Sequence, residues 1–80
     1  MLRLTVHDGL DIWVIYRRPR DLPGVEYAVR KQVAGAGGIS ISKEVFVALN
    51  LDGARRHIPP GLIRMDRQSG DDPVIVETWF

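Results

Sequence analysis

Two stretches in the first half of the chain have the residue patterns of β-strands. Residues 11–18, DIWVIYRR, are apolar on both faces of an extended chain, which is typical of a central strand. Residues 25–33, VEYAVRKQV, alternate more strictly and predict a strand with one buried face. Between them, the segment from Leu22 to Val25 fits a type II turn, since Pro23 fixes the second position and Gly24 tolerates the positive φ of the third. We therefore predict two antiparallel strands joined by an ordered basic loop.

The next pattern follows a glycine-rich segment, GAGG, at 35–38. A phosphate-binding loop would open a helix, whereas the β-type alternation ISISKEVFVAL follows here, so the glycines predict a turn. We predict a strand over 45–49, with Ile39 and Ile41 in a short ribbon before it.

Residues 50–61, NLDGARRHIPPG, contain the only helix pattern in the chain. Asn50 is a suitable N-cap, and Pro59-Pro60 would end the helix. Leu51 and Ala54 fall on one face of this helix. A helix this short does not persist alone in water, so we expect it to pack on the sheet.

The C-terminal part predicts a second hairpin, with strands over 62–67 and 73–80 flanking a turn-rich loop. Strict alternation would place Val76 and Glu77 on opposite faces of the last strand. The predicted order is β-β-β-α-β-β, with residues 2–6 as a candidate further strand. We expect one α+β domain over residues 1–80, a mainly antiparallel sheet of four to five strands with one short helix.

Composition and candidate chemistry exclude several functions. Eleven basic and ten acidic residues leave a net charge of +1, so no global field draws the chain to nucleic acid or to an anionic membrane. The chain has no cysteine. His7 and Asp8 could orient a base, but the sequence offers no third partner for them, and His57 suits the C-terminal end of a helix. Asp71-Asp72 precede a proline and are typical of a solvated turn. We expect no enzyme, no metal and no cofactor.

A binding surface is the remaining candidate, and arginine and aromatic residues suggest where it lies. Arginine, tryptophan and tyrosine dominate the hot spots of protein interfaces, and the basic loop would hold its arginines with little freedom left to lose. Trp13, in a strand that is apolar on both faces, is expected in the core. The candidate partner-binding residues are Tyr16, Arg17, Arg18, Arg20, Arg30, Lys31 and Trp79.

The same arginines beside a tyrosine also suit single-stranded nucleic acid. Asp21 and Glu26 interrupt that basic patch, however, so direct nucleic-acid binding is the weaker alternative. For Trp79, next to the last residue, burial and exposure at an interface both stay open. A structural accessory protein without an inhibitory role is a further alternative.

Three segments carry a resemblance: RRPRDLPGVEYAVRK at 17–31, IPPGLIRM at 58–65 and DDPVIVETWF at 71–80. Together they resemble a group of short uncharacterised proteins of proteobacteria and their phages, in which an R-P-R-D-x-P turn, a P-P-G-L segment and a D-D-P-x-I-V-E-x-W ending recur. The middle segment, GAGGISISKEVFVALN, aligns poorly with that group. No activity is attached to the group. Small phage proteins without catalytic machinery commonly bind and block a host protein, as anti-CRISPR inhibitors do.

The resemblance therefore implies inhibition by occupancy. We expect a non-catalytic, anti-CRISPR-like protein whose partner is a host protein or nucleoprotein complex. No segment resembles a signal peptide or a bilayer-spanning run, so we expect a cytoplasmic location without membrane contact. A short chain without disulfides gains stability by association, so a homo-oligomer is kept as an alternative.

Overall fold

The computed structural model describes residues 9–80, so the candidate strand at 2–6 and His7 lie outside the described residues. Five strands form one antiparallel sheet in the order β3-β2-β1-β5-β4. One short helix follows β3. The described residues are thus mostly β, so the expected α+β class is only approximate, while the predicted order β-β-β-α-β-β roughly matches. The elements are β1 Leu10–Arg17, β2 Tyr27–Gly35, β3 Gly38–Ala48, α1 Leu51–Arg55, β4 Arg64–Asp66 and β5 Ile75–Trp79.

Strand β1 is the central strand that its two apolar faces predict. It pairs with β2 on one side and with β5 on the other. Both edges of β1 are paired, and Val14 and Ile15 are both buried although they point to opposite faces. The ladder between β1 and β2 is regular from Leu10 to Arg17.

The turn between β1 and β2 has the geometry that proline and glycine predict. The backbone N–H of Val25 donates to the carbonyl of Leu22 at 3.2 Å, and Gly24 has φ +85°. A positive φ at the third position is the mark of a type II turn. The loop before the turn is equally ordered, since the Arg18 N–H donates to the Glu26 carbonyl at 2.8 Å and Pro19 is buried.

Strand β3 differs from the prediction, because the ribbon at Ile39 and Ile41 and the strand at 45–49 are one strand, Gly38–Ala48. The two residues between β2 and β3 reverse the chain directly, so pairing with β2 begins at once. The register shifts where Arg30 pairs with Val45 and Gln32 pairs with Ile41, which leaves residues 42–44 opposite a single residue of β2. This bulge interrupts the alternation and makes one strand resemble two in the sequence.

Helix α1 is shorter than the 50–61 span that the sequence predicts, and covers Leu51–Arg55. The N-cap is confirmed, because Asn50 Oδ1 accepts a hydrogen bond from the Gly53 N–H at 2.7 Å. After Arg55 the chain continues in tighter turns, with Ile58 N–H donating to the Arg55 carbonyl at 3.0 Å. The two prolines that follow have no N–H to extend the helix.

The two faces of the sheet differ in what lies on them. On the side that we call the covered face, Ile15 of β1 and Val29 of β2 form the buried core with Ala54 of α1. Half-buried side chains complete this core: Trp13, Tyr27, Phe46, Ala48, Leu51, Ile58, Val76 and Trp79. The opposite side, the open face, presents alternate residues of the strands, among them Ile12, Val14, Tyr16, Arg30, Gln32, Ile41 and Val47. Of the described elements, no helix lies on the open face.

The predicted alternation of the last strand is wrong at Val76. The register between β1 and β5 shifts, since Ile15 pairs with Glu77 whereas Tyr16 pairs with Ile75. Val76 is the extra residue of this β-bulge and packs against the core, on the same side as Glu77.

Candidate functional site

The basic loop between β1 and β2 satisfies its own charges. Arg18 Nε lies 3.3 Å from Glu26 Oε1. Arg20 binds both carboxylate oxygens of Asp72, at 3.2 and 3.1 Å. Proline and glycine fix the backbone, and these ion pairs fix the side chains. The loop is therefore ordered, as the sequence predicts, but its two pairs leave little uncompensated positive charge.

A cleft of about 280 Å³ lies where this loop meets the open face. Tyr16 and Arg30 line it from the sheet, and Arg20, Asp21 and Asp72 line it from the loops. Arg30 donates to Asp21, and its guanidinium lies 5.8 Å from the centre of the Tyr16 ring. The cleft thus holds charges of both signs, each with a partner across it.

The electrostatics of the cleft follow from these contacts. Hydrogen bonding to Arg20 lowers the pKa of Asp72, and hydrogen bonding to Arg30 lowers the pKa of Asp21. Burial raises the pKa of Tyr16, although its hydroxyl accepts a hydrogen bond from Gln32 Nε2 at 3.2 Å. These directions favour ionised Asp21 and Asp72 carboxylates and a neutral Tyr16 hydroxyl.

The seven candidate binding residues do not form one surface. Neighbouring residues of a strand point to opposite faces, so Tyr16 and Arg30 are on the open face whereas Arg17 and Lys31 are not. Lys31 lies 3.6 Å from Asp11 Oδ2 and 5.9 Å from the centre of the Trp13 ring, on the covered side. Arg18 and Arg20 belong to the loop.

Trp79 and Trp13 both contribute to the covered face. Trp79 is half-buried against the core, and its Nε1–H donates to Glu77 Oε2 at 2.6 Å. Trp13 packs against the same core, as expected, and stacks on Phe46 with ring centres 6.4 Å apart. Trp79 therefore has a structural partner, and its half-burial lies between the two alternatives that the sequence left open.

The sequence reasoning missed an ion pair beneath helix α1. Glu77 is only 2% exposed, and its carboxylate accepts from Arg55 Nε and Nη2 at 3.0 and 2.8 Å. Burial alone would raise the pKa of Glu77, but the hydrogen bonds from Arg55 and Trp79 outweigh it and hold the pKa below its usual value. This pair fixes the helix to β5. The signal available in the sequence was a lone carboxylate inside an apolar strand.

The reasoning also missed the apolar side chains that β3 exposes. Ile39, Ile41 and Val47 are 65%, 57% and 56% exposed, and all three are on the open face. Leu49, just after the strand, is 87% exposed. Exposed apolar side chains that cluster along one strand are typical of interaction surfaces. The alternation of ISISKEVFVAL signalled a strand, but not which of its faces lacks a cover.

The groups considered for catalysis or metal binding have structural roles where the structure describes them. His57 follows α1 and stacks on Phe46, with ring centres 4.9 Å apart. Asp71 Oδ2 accepts from the Gln68 N–H at 2.9 Å and closes the turn before β5, while Asp72 binds Arg20. Within residues 9–80, no three histidine or acidic side chains are grouped so that they could hold a metal ion.

Comparisons with known proteins give no indication of function. No protein-family profile, no curated protein and no solved structure matches the chain. Among the described residues, no helix is long and apolar enough to cross a membrane.

Proposed function

We propose that this domain is a non-catalytic protein-binding module that uses the open face of its sheet. The observation that carries the proposal is the exposure of large apolar side chains on that face, at Ile39, Ile41 and Val47 of β3 and at Met65 of β4. A sheet ordinarily buries at least one face against another layer, and the second face of a solvated sheet is ordinarily polar. Here the second face combines apolar side chains with Tyr16, Arg30 and Gln32, a composition typical of an interface.

The charges favour a protein partner over nucleic acid. Arg18, Arg20 and Arg30 each pair with a carboxylate of the same chain. A phosphate backbone would have to displace those carboxylates, and it would meet Asp21 and Asp72 at the same cleft. Binding to nucleic acid draws most of its affinity from uncompensated cations, which these residues do not supply.

The narrower hypothesis is that the partner is a host protein or nucleoprotein complex and that binding blocks it, as an anti-CRISPR inhibitor does. It rests on the resemblance of residues 17–31, 58–65 and 71–80 to short phage and proteobacterial proteins. The open face would act by occupancy, because blocking a surface needs affinity and shape but no reacting group.

The test is capture of partners from a bacterial lysate by the purified chain, with and without nuclease, using matched variants. Gln32→Arg and Met65→Glu change the open face at two strands without removing a core side chain. Asp52→Asn, on the exposed side of α1, is the control. We expect one captured protein to be retained after nuclease treatment. It should bind Asp52→Asn as it binds the unchanged chain. Its affinity for each open-face variant should be at least about tenfold lower.

Two results would contradict the proposal. If nuclease removes every captured protein and the chain binds an unrelated single-stranded oligonucleotide with steep salt dependence, nucleic acid is the ligand. If the captured protein binds the folded open-face variants as it binds the unchanged chain, the interface lies elsewhere.

A further inference from the structure

The two edge strands of the sheet are built differently. Strand β4, at one edge, spans only Arg64–Asp66, and its two charged residues pair with each other at 3.3 Å. Short and charged edges prevent pairing with another chain. Strand β3, at the other edge, spans Gly38–Ala48, and no described strand pairs with its outer side. Its residues Ile39, Ile41 and Val47 are exposed on the open face, and Lys43 and the bulge interrupt the strand only at its middle. The two ends of β3, 38–41 and 45–48, are therefore the edge segments that are available for strand pairing.

The apolar residues of β3 are arranged symmetrically about its midpoint. The open-face residues Ile39 and Ile41 precede Lys43 by four and two positions, and Val45 and Val47 follow it by two and four. A two-fold axis through residue 43 would place Ile41 opposite Val45 and Ile39 opposite Val47. An isologous interface needs this self-complementarity, because each residue must suit the partner that symmetry assigns to it.

We propose that two copies of this chain associate through antiparallel pairing of their β3 strands, with the two-fold axis at Lys43. The pairing would extend both sheets into one continuous sheet. It would place four apolar cross-strand pairs, two of each kind, side by side on the open face. The segments on either side of the bulge, 38–41 and 45–48, supply the backbone hydrogen bonds. This inference does not depend on the proposed function, because it concerns an edge and a second copy rather than another protein.

Lys43 gives the interface a specific signature. The axis brings the two Lys43 side chains together, and like charges directly opposite each other weaken a strand pair. The dimer is therefore weaker than its apolar pairs alone would make it. Replacing the lysine in one copy by glutamate turns repulsion into attraction, so a mixture of the unchanged chain and Lys43→Glu should form the mixed dimer in preference to either homodimer.

Cysteine cross-linking tests the register directly, because the chain contains no cysteine. The axis places Ile41 of one copy opposite Val45 of the other. Ile41→Cys mixed with Val45→Cys should therefore form a disulfide-linked dimer under mild oxidation, while either variant alone should remain largely unlinked. Leu49→Cys mixed with Ile41→Cys is the control, since the two-fold axis does not bring those positions together.

Solution mass measured against concentration completes the experiment. We expect a monomer–dimer equilibrium for the unchanged chain. Ile41→Lys should raise its dissociation constant at least about tenfold, because each dimer carries the change twice, and Lys43→Thr should lower it. A chain that stays monomeric up to about 1 mM would overturn the inference. A dimer that forms without the mixed Ile41–Val45 cross-link would overturn this interface. Neither outcome affects the capture experiment on the open face.

Discussion

The covered and open faces of the sheet differ in where they place charged and apolar side chains. On the covered face, the Glu77 carboxylate is 2% exposed and accepts three hydrogen bonds, two from Arg55 and one from Trp79. On the open face, Ile41 and Val47 remain more than half exposed, although they would contribute to a core if another layer covered them. The covered face thus places charge in the interior, whereas the open face leaves apolar area in water.

Under the proposed function, this difference separates stability from binding. The covered face contains Ile15, Val29 and Ala54, which are fully buried, so it carries the packing energy of the domain. The exposed apolar residues of the open face gain little from folding and gain most of their burial only when another surface covers them. Substitutions on the covered face should therefore change the free energy of unfolding, whereas substitutions on the open face should change the affinity for a partner.

The largest effect is expected at Glu77. Glu77→Ala leaves Arg55 without its partner under α1, and breaking a buried ion pair from one side is costly. Because the Arg55 side chain is 34% exposed, water recovers part of the loss. We expect the free energy of unfolding to fall by about 2–3 kcal/mol, measured by chemical denaturation.

The control for Glu77 is Asp66→Ala, since Asp66 pairs with Arg64 but its side chain is 79% exposed. Exposed pairs contribute little, so we expect a loss below about 1 kcal/mol. Equal losses of unfolding free energy at the two positions would show that the buried Glu77 carboxylate contributes no more stability than an exposed one.

Lowering the pH should remove part of the stability that Glu77 contributes. The pKa of Glu77 is lower in the folded state than its ordinary value, so the folded state holds the ionised carboxylate more favourably. That stability is fully present above the ordinary pKa of about 4.3 and is lost as pH falls through the folded value. Unfolding curves for the unchanged chain and Glu77→Gln should therefore converge in acid. Asp21 and Asp72 titrate in both proteins, so curves that stay parallel would contradict this assignment.

A smaller effect on stability is expected at the turn that joins β1 to β2. Gly24 has φ +85°, and an added Cβ would meet nothing within 4 Å, so the cost of a side chain there is backbone strain alone. Gly24→Val should lower the free energy of unfolding by about 1–2 kcal/mol. Gly37→Val is the control, because Gly37 has equal space and lies outside the left-handed region. An unchanged melting temperature for Gly24→Val would contradict the type II turn.

That turn is also the part of the fold that the sequence predicted best. Proline fixes its own φ and glycine accepts the positive φ of the next position, so the segment from Leu22 to Val25 needs no distant partner to specify it. The alternation in β1 and β2 is equally local. The bulges in β3 and β5 were not predicted, because a bulge is a property of two paired strands and neither strand shows it alone.

The candidate site was predicted less well for the same physical reason. The arginines of the loop are conspicuous in the sequence, but the partner of Arg20 is Asp72, 52 residues away. Glu77 and Arg55 are 22 residues apart and meet only once α1 packs on the sheet. Which face of β3 lacks a cover likewise depends on where the helix lies. Local patterns predict elements, whereas exposure and charge pairing depend on the assembled fold.

The smallest effect is expected on the open face, and a matched pair of valines measures it. Val29 of β2 is fully buried on the covered face, whereas Val47 of β3 is 56% exposed on the open face. Val29→Ala should lower the free energy of unfolding by about 2 kcal/mol, because it removes buried methyl groups and leaves a cavity. Val47→Ala should change it by less than about 0.5 kcal/mol, since water already reaches that side chain. The comparison is made by denaturation at low protein concentration, where association does not contribute. Equal losses would mean that the open face is packed from within the chain near Val47, and binding would then have to be sought on another surface.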